Sequence, residues 1–493
     1  MSSGLICLSI ACPTAEAALS AALGRNADLV EIRFDAMSAA ERDALCERLS
    51  THPELKVIAT FRPQEQGGHQ NLSIEERLRF WRRSGPQFAM CDIEEDIFDT
   101  VSVLPHRILS HHEFNRIPAG VEHTFRRLAA KDPDMVKLAV KADDAVDAVA
   151  VWRLLGTDTK AVVIAMGDGG KWTRILGPAY GAEWTYAASG NGTATAEGQV
   201  TIDDLTDVYR VKELSRDTTI LGIIGDPVSR SYSPYIHNPA LHSKGIDAVF
   251  IPFLVKGAGE FLKEMVRPET SKSGLRFGGL SVTMPHKQAI IPFLDGLEPE
   301  AKTIGAVNTV EVRNGRLIGH NTDAYGFITP LKQKLGGLSG MRAAVFGCGG
   351  AARAVVYALR REGVEVKVFA RDPEKAAALA AEFTSSYGDI EEGRRSAREY
   401  DVVVNATPIG MHNNTAAGLL SADDIRGIKL AFDLVTKPTD TPLIAEAKKA
   451  DVAHIGGAEM LLAQGVKQFE IWTGIDAPAD VMEAGLKDRM ALL

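Results

Sequence analysis

Residues 341–372, MRAAVFGCGGAARAVVYALRREGVEVKVFARD, contain the pattern that decides the fold of this part of the chain. An apolar strand, MRAAVF, is followed by a glycine-rich turn that fits G-x-G-x-x-A, then by a helix and a second strand. Glycines permit a tight turn, and a pyrophosphate binds the N-terminus of the helix that follows. The alternative is a glycine-rich turn without a ligand. Because strand and helix flank the motif, we predict a Rossmann dinucleotide-binding lobe with contacts from Gly347, Gly349, Gly350, Ala351 and Ala352.

The residue after the second strand indicates which dinucleotide binds. An acidic residue there holds the ribose 2′-hydroxyl of NAD, whereas an arginine accommodates the 2′-phosphate of NADP. The strand VEVKVFA is followed by Arg371, so the sequence predicts NADP. Two alternatives stay open. Asp372 comes next and would favour NAD after a shift of one residue, and Arg371 could be a solvated turn residue before Pro373.

The first 210 residues alternate short apolar strands with helical segments. Eight strand signals are present, and they begin at Leu5, Leu29, Lys56, Phe88, Arg107, Met135, Ala161 and Trp184. Strand–helix alternation implies a parallel sheet. Eight units in this length predict a small (β/α)8 barrel, with an open doubly wound sheet as the alternative. The whole chain is therefore expected to be an α/β protein.

Charged residues lie in or just after five successive strands of this region. They are Glu31, Arg33, Arg62, Asp92, Glu94, His111, His112 and Lys137. Charge inside an apolar barrel strand needs a reason, and the carboxyl ends of barrel strands form the active-site face. Buried ion pairs that hold the barrel together are the alternative. The repetition over five strands favours a polar pocket.

Composition and charge exclude several classes of protein. The chain has 493 residues, 45% hydrophobic and 24% charged, with a formal net charge of −9, which argues against a nucleic-acid partner. No apolar run is long enough for a membrane span, and the start lacks the basic region of a signal peptide, so we expect neither membrane association nor a targeting segment. Five scattered cysteines without a C-x-x-C pair favour a reducing, cytoplasmic compartment and no metal site. The oligomeric state is left open.

Two sets of motifs resemble known families. From residue 220 onward, the segments GIIGDPVSRSYSPYIHN (222–238), SVTMPHK (281–287), GAVNTV (305–310), NTDAYG (321–326) and NATPIGM (405–411) closely resemble shikimate dehydrogenase. In the first part, VEIRFD (30–35), TFR (60–62), SHHEF (110–114), VKLAV (136–140) and MGDGGKWTRILG (166–177) resemble type I 3-dehydroquinate dehydratase, a (β/α)8 barrel. The chain thus resembles a fusion of enzymes for two consecutive steps of aromatic biosynthesis.

The resemblance implies a division into domains. It implies a dehydratase barrel over residues 1–214, a substrate-binding domain over 219–322 that is completed by C-terminal helices at about 459–493, and a Rossmann NADP-binding domain over 323–458. The polar stretch KELSRDTT at 212–219 has no periodic apolar pattern and is interpreted as a linker. We therefore expect the two enzymes to be separable.

For the barrel, the resemblance implies that Lys137 forms a Schiff base with 3-dehydroquinate and that His112 is the general acid and base, with His111 as the competing histidine. Val and Leu flank Lys137 in its strand, which predicts a desolvated, neutral amine. Arg174 matches the residue that binds the substrate carboxylate, and the other matching contacts are Glu31, Arg33, Arg62, Thr195 and Gln199. Two departures from the family pattern bear on the affinity for the substrate rather than on the chemistry. Gln66 replaces an acidic residue, and Glu197 replaces a proline in the late loop TAEGQ at 195–199.

For the second half, the resemblance implies that Lys287 and Asp323 form the catalytic pair that reduces 3-dehydroshikimate to shikimate with NADPH. The matching substrate contacts are Ser231, Ser233, Thr283, Asn308 and Gln464, and the loop beside the nicotinamide matches at Asn405, Thr407, Gly410 and Met411. Arg230 stands where a histidine is frequent, and Thr436 where the family has a tyrosine. These departures leave a preference for quinate open. A non-catalytic sensor of pathway metabolites is a further alternative, although the retained Lys137 and Asp323 argue against it.

Overall fold

Residues 4–190, 192–411 and 418–492 are described by the computed structural model of the chain. Contacts divide them into two units. The first contains residues up to 230 together with 247–276, and the second contains 231–246 together with residues from 277 onward. Within these described segments, no helix is long and apolar enough to cross a membrane.

The first unit contains all eight predicted strands, in a parallel sheet. The strands are β1 (Leu5–Ile10), β2 (Leu29–Arg33), β3 (Val57–Thr60), β4 (Met90–Glu94), β5 (Arg107–Glu113), β6 (Met135–Lys141), β7 (Ala161–Met166) and β8 (Trp184–Ala188), and the short β9 (Val200–Thr201) pairs in parallel with the end of β8. β1 to β7 pair in sequence and β1 also pairs with β8. A parallel bridge from Ala161 to Ala182 links the two remaining edges. The (β/α)8 barrel is confirmed, and the open sheet is wrong.

Six helices connect these strands. They are α1 (Ala15–Leu23), α2 (Ala39–Leu49), α3 (Ile74–Ser84), α4 (Val121–Ala129), α5 (Val149–Trp152) and α6 (Lys171–Tyr180). Side-chain caps begin several of them. Thr14 accepts a hydrogen bond from the Ala17 amide at the start of α1, and Ser73 forms a capping box with Glu76 at the start of α3.

The same unit continues beyond the barrel. The 212–219 stretch lies in turns and leads to β10 (Thr219–Gly225). The chain then forms α7 (Ser233–Ser243), which belongs to the second unit, and returns for β11 (Ala248–Leu254) and α8 (Ala258–Phe261). The Trp152 indole donates to the Ser273 carbonyl at 2.7 Å, and the Trp172 ring lies 6.2 Å from that of Phe253. Residues 247–276 therefore pack on the barrel helices.

The second unit begins with a small mixed sheet and its helices. Its elements are α7, β12 (Phe277–Val282), α9 (His286–Ala289), β13 (Gly296–Leu297), α10 (Pro299–Ile304), β14 (Thr309–Arg313), β15 (Arg316–His320) and α11 (Asp323–Leu335). β14 pairs antiparallel with both β12 and β15, and β13 pairs parallel with β15. The turn before Asp323 joins this sheet to the next one.

The remainder of the second unit is the predicted Rossmann lobe, followed by two helices. The elements of the lobe are β16 (Arg342–Phe346), α12 (Gly350–Arg361), β17 (Glu365–Ala370), α13 (Pro373–Glu382), β18 (Ser386–Asp389), α14 (Ile390–Ser396), β19 (Val402–Asn405), α15 (Ala422–Ile425), β20 (Leu430–Asp433), α16 (Pro442–Lys449) and β21 (Ala453–Ile455), and the helices are α17 (Gly457–Thr473) and α18 (Ala479–Ala491). α17 returns to the mixed sheet, where Gln468 donates to Ser281 on β12 and to Thr309 on β14. The parallel order β18-β17-β16-β19-β20-β21 is that of a doubly wound dinucleotide-binding sheet. Apolar clusters cover both of its faces, with Val345 in one and Phe346 in the other.

Candidate functional site

Lys137 lies inside the barrel, with only 4% of its surface exposed. Its ammonium donates to Glu31 Oε1 on β2 and to Asp92 Oδ2 on β4, both at 2.7 Å, and lies 4.3 Å from the centre of the Tyr186 ring. The predicted burial is confirmed. Its immediate surroundings are charged, because alternation along β6 turns the side chain away from its Val and Leu neighbours and toward two carboxylates.

The two carboxylates around Lys137 are strongly perturbed. Burial is the largest single effect and opposes their ionisation, but the Lys137 ammonium together with the Arg62 and Arg33 guanidinium groups outweighs it and lowers the pKa of Glu31 to about 2. The same ammonium, with the Arg62 guanidinium, holds the pKa of Asp92 well below its usual range. The lysine therefore faces two ionised carboxylates rather than one.

Arg62 connects this pair to His112. Its guanidinium donates to Asp92 Oδ2, Glu94 Oε1 and His112 Nε2, each at 2.8 Å. Burial, followed by the Arg62 and Lys137 charges, holds the pKa of His112 well below its usual range. Because Nε2 accepts from a guanidinium, the imidazole is neutral and carries its hydrogen on Nδ1. Nε2 is the only basic atom of this neutral imidazole, so the ring can take up a proton only when the Arg62 guanidinium no longer donates to it.

The competing histidine occupies a different environment. His111 is half-buried, whereas 8% of His112 is exposed, and strand alternation turns neighbouring side chains to opposite faces. Lys137, Glu31, Asp92 and Arg62 are joined by hydrogen bonds and form the lysine cluster. His112 is thus the histidine that contacts this cluster, through Arg62.

Arg174, on α6, is a buried cation with no acidic partner among the described residues. Burial lowers its pKa to about 10, its Nη2 donates to the Glu197 carbonyl at 3.3 Å, and its Nε has no hydrogen-bond acceptor within the described part of the chain. A buried guanidinium that lacks a carboxylate fits an anionic ligand, since desolvated charge is costly without a partner.

The late loop is hydrogen-bonded to a residue next to Glu31. The Thr195 hydroxyl lies 2.7 Å from that of Ser9, whose oxygen donates to Glu31 at 2.5 Å, and the Thr195 amide donates to Gln199 Oε1 at 2.8 Å. Glu197, the departure from the family pattern, pairs with Lys141 at 3.2 Å. Hydrogen bonds thus connect Thr195 and Gln199 to the lysine cluster.

The remaining barrel positions have supporting contacts. Arg33 forms a two-pronged pair with Asp35 and also donates to the Gly67 carbonyl at 2.7 Å, so it holds the loop after β3. Gln66 is half-buried in that loop. The sequence prediction gave no role to two residues that contact Lys137. The charge pattern of the strands already placed Asp92 in a polar pocket, but nothing in the sequence indicates the contact of Tyr186 with Lys137.

In the second unit, hydrogen bonds join four predicted residues. Lys287 Nζ, on α9, donates to Asp323 Oδ2 at 2.5 Å. Asn308 Nδ2 donates to Asp323 Oδ1 at 2.9 Å and to Gln464 Oε1 on α17 at 3.3 Å. Asp323 is the first residue of α11, where the helix dipole favours a negative charge. The arrangement presents an ammonium that is oriented by a buried carboxylate.

Three predicted substrate contacts lie apart from these hydrogen bonds. Ser233 is buried at the start of α7, and its amide donates to the Ser231 hydroxyl at 3.2 Å. Thr283 is half-buried directly after β12. Within the described residues, no direct hydrogen bond joins these hydroxyls to Lys287 or Asp323.

The glycine-rich turn has the geometry that a dinucleotide requires. Gly347 has φ +119°, and a Cβ there would come within 2.7 Å of the Ala406 carbonyl. Gly349 caps α12, and a Cβ on it would meet no heavy atom of the described residues within 4 Å. Gly350, Ala351 and Ala352 form the first turn of α12. The open space at this helix N-terminus fits a pyrophosphate.

The residues after β17 differ in what their side chains do. Asp372 caps α13, where its carboxylate accepts from the Lys375 amide at 3.1 Å. Arg371 directly follows the strand and is exposed. Because the carboxylate is used as a helix cap, the group left to meet a ribose substituent is the guanidinium. This arrangement fits NADP.

The loop at 405–411 follows β19 and is shaped by its own side chains. Asn405 Oδ1 accepts from the Thr407 amide at 3.0 Å and from its hydroxyl at 2.6 Å, and Gly410 has φ +99°. Met411 is exposed. Since Ala406 touches the Gly347 turn, this loop lies beside the dinucleotide position.

Family models match nearly the whole chain. Type I 3-dehydroquinase matches residues 6–216, and the shikimate dehydrogenase substrate binding domain matches 223–310. Shikimate / quinate 5-dehydrogenase matches 330–455, and the shikimate 5′-dehydrogenase C-terminal domain matches 457–487. The order of these matches is that of the two motif sets.

Similar proteins include both bifunctional and single enzymes. The chain is 30% identical, over 486 residues, to a chloroplastic bifunctional 3-dehydroquinate dehydratase/shikimate dehydrogenase of Arabidopsis thaliana, covering 92% of this chain and 79% of that protein. An NADP+ shikimate dehydrogenase of Methanothermobacter thermautotrophicus is 38% identical, over 55% of this chain and 96% of its own. The crystal structure of a Thermus thermophilus shikimate dehydrogenase in complex with NADP(H) and shikimate superimposes on this chain with a TM-score of 0.50. The two sequences are 38% identical, and the match covers 55% of this chain and 99% of that one.

Proposed function

The chain belongs to the family of bifunctional 3-dehydroquinate dehydratases/shikimate dehydrogenases, and from this we propose which of its residues perform each reaction. It is a 3-dehydroquinate dehydratase and an NADP-dependent shikimate dehydrogenase in one polypeptide. The observation that carries the assignment is shared by both halves. In each, the lysine of the matching motif donates to a buried carboxylate among the other matching residues.

In the dehydratase, Lys137 attacks the ketone of 3-dehydroquinate. The carbonyl oxygen leaves as water and an imine forms, which withdraws electrons from the adjacent C–H bond. His112 is neutral, so it can accept the proton from that carbon and return one to the departing hydroxyl. The hydroxyl leaves as water, and hydrolysis of the imine by a water molecule then releases 3-dehydroshikimate and restores the Lys137 amine. Arg62 supports this role because it holds His112 and the Asp92 carboxylate together.

The substrate carboxylate binds Arg174. The geometry that supports this is a buried guanidinium whose Nε lacks an acceptor among the described residues. Its contact with the Glu197 carbonyl ties the late loop to that site, which supports Thr195 and Gln199 of the same loop as substrate contacts. Glu31, Arg33 and Arg62 organise the hydroxyl side of the pocket.

In the dehydrogenase, Lys287 gives a proton to the carbonyl oxygen of 3-dehydroshikimate as it becomes the hydroxyl of shikimate. NADPH supplies the hydride. Asp323 orients the ammonium, Asn308 donates to Asp323, and Gln464 accepts from Asn308. Asn308 and Gln464 bind the substrate hydroxyls. Ser231, Ser233 and Thr283 bind the substrate from α7 and β12. NADP binds the Gly347–Ala352 turn with Arg371 on its 2′-phosphate.

Other assignments rest on the sequence. We propose the domain boundaries 1–214, 219–322 with 459–493, and 323–458, and a cytoplasmic location. The small-molecule partners are 3-dehydroquinate, 3-dehydroshikimate and shikimate. A quinate preference of the second half is the rival hypothesis because Thr436 replaces the family tyrosine. Comparing NADP-linked oxidation of shikimate and quinate decides between them.

The Schiff base is tested by trapping. Incubation of the full chain with 3-dehydroquinate and borohydride should reduce the imine and add ligand mass to the peptide that contains Lys137. Lys137→Ala should abolish both labelling and dehydration, while NADP-linked shikimate oxidation by the same protein persists as the control for folding. Normal dehydration by Lys137→Ala would refute the assignment.

A further inference from the structure

Asp433 is a completely buried acid at the carboxyl end of β20, and its partners are all neutral. Its Oδ1 accepts from Asn405 Nδ2 at 2.9 Å and from the Val435 amide at 3.0 Å, and its Oδ2 accepts from the Thr441 hydroxyl at 2.6 Å. Burial raises its pKa to about 6 against the effect of these donors. Keeping an acid here instead of an apolar residue costs stability, which suggests that the carboxylate has a task.

The task is visible in Asn405, which lies opposite Asp433 in the register of β19 and β20. A carboxylate only accepts hydrogen bonds, so the facing amide must present its NH2 group. Asn405 Nδ2 also donates to the Ile409 carbonyl at 3.0 Å. Its Oδ1 is thereby directed at Thr407, whose amide and hydroxyl both donate to it. The buried acid thus fixes which way the amide points.

The orientation of Asn405 determines the shape of the following loop. The Thr407 hydroxyl, held by Asn405, accepts from the Ile409 amide at 3.1 Å. One side chain therefore supports two turns of the 405–411 loop. The same loop begins at Ala406, whose carbonyl limits Gly347 to glycine. Two successive sets of hydrogen bonds, from Asn405 to Asp433 and from Thr407 to Asn405, therefore connect the buried acid to the loop beside the dinucleotide position.

We propose that Asp433 is a positioning residue for hydride transfer, which fixes Asn405 and through it the loop that orients the nicotinamide ring. The proposal rests on the proposed dehydrogenase function and on NADP at the Gly347 turn. Asp433 does not touch the reactants. Because phosphate contacts at α12 and Arg371 are separate from this loop, its loss should disturb ring orientation more than cofactor affinity.

Two variants of the full chain separate orientation from structure. Asp433→Asn keeps the shape and an oxygen that accepts from Asn405 and Val435, and its NH2 can donate to Thr441. Asp433→Ala removes the acceptor. We expect Asp433→Ala to lower kcat for NADP-linked shikimate oxidation about 10- to 100-fold, the scale of a misplacement of about 1 Å. The Kd for NADPH, from fluorescence titration, should change less than about three-fold, and Asp433→Asn should stay within about five-fold of the unmodified kcat.

The outcomes are distinct because the same polypeptide reports its own folding through the dehydratase and through NADPH binding. If Asp433→Ala binds NADPH but keeps its kcat, or if NADPH affinity falls and kcat does not, the positioning role is refuted. If Asp433→Ala no longer binds NADPH, the test moves to Thr407→Val. This variant removes the hydroxyl that joins Asn405 to the loop, and it leaves no cavity in the core because Thr407 is only half-buried. An unchanged kcat in Thr407→Val would overturn the proposal. An unmodified chain that fails to oxidise shikimate would instead refute the proposed function.

Discussion

Replacing Arg371 by alanine tests how the second half selects its cofactor. Arg371 follows β17 and is exposed, while the neighbouring carboxylate of Asp372 caps α13. The guanidinium is therefore the charged group available to the 2′-phosphate. In Arg371→Ala that phosphate loses its partner, whereas NAD, which has no phosphate there, loses nothing.

The size of the effect follows from the kind of contact. A charge-assisted hydrogen bond contributes about 1.5–3 kcal/mol, which corresponds to about ten- to hundred-fold in affinity. Because Arg371 is exposed, solvent screening places the effect near the lower end of that range. We expect the KM for NADP to rise about ten-fold and the KM for NAD to stay nearly constant.

Steady-state oxidation of shikimate with each cofactor measures this change. Asp372→Ala is the matched control. It removes the cap of α13, but it should leave the preference for NADP over NAD unaltered. A wild-type preference for NAD, or an Arg371→Ala variant with unchanged KM for NADP, would show that the ribose is held by another group.

Two further predictions concern packing. A Cβ at Gly350 would lie 3.2 Å from Lys287 Cβ, so Gly350→Ala should lower kcat for shikimate oxidation about ten-fold. A Cβ at Gly349 would point into open space, so Gly349→Ala should chiefly raise the KM for NADP. If both variants changed kcat and KM equally, this packing argument would be contradicted. A fragment of residues 1–215 should still dehydrate 3-dehydroquinate. Because it lacks residues 247–276, which pack on the barrel, its dehydratase activity should be lost at a temperature roughly 5–15 °C below that of the full chain. Equal inactivation temperatures for the fragment and the full chain would contradict this.

Local patterns in the sequence were sufficient to predict the two folds. Strand–helix alternation specified eight barrel strands, because each strand is short, apolar and bounded by turns. The glycine turn at Gly347 specified the Rossmann lobe for a comparable reason, since its positive φ and its contact with the Ala406 carbonyl leave no room for another residue. Such features depend on a few neighbouring residues and can be recognised without the tertiary structure.

The surroundings of Lys137 could not be predicted in the same way. Its flanking Val and Leu suggest an apolar environment, but its side chain contacts residues 45 and 106 positions away in the sequence. Only the closure of the barrel brings Glu31 and Asp92 to the same lysine. Likewise, the 212–219 stretch lies in turns, as a linker should, yet the packing of 247–276 on Trp152 has no local signal.

The two lysines show how similar ion pairs support opposite proton transfers in the proposed mechanism. Lys287 donates to Asp323, and its task is to release a proton to the substrate oxygen. Lys137 donates to two carboxylates, and it must lose a proton before it can attack a ketone. That second task needs a neutral acceptor within the cluster. His112 is that acceptor, because burial and the Arg62 charge keep its imidazole neutral, and its Nε2 can take the proton when the Arg62 hydrogen bond is released.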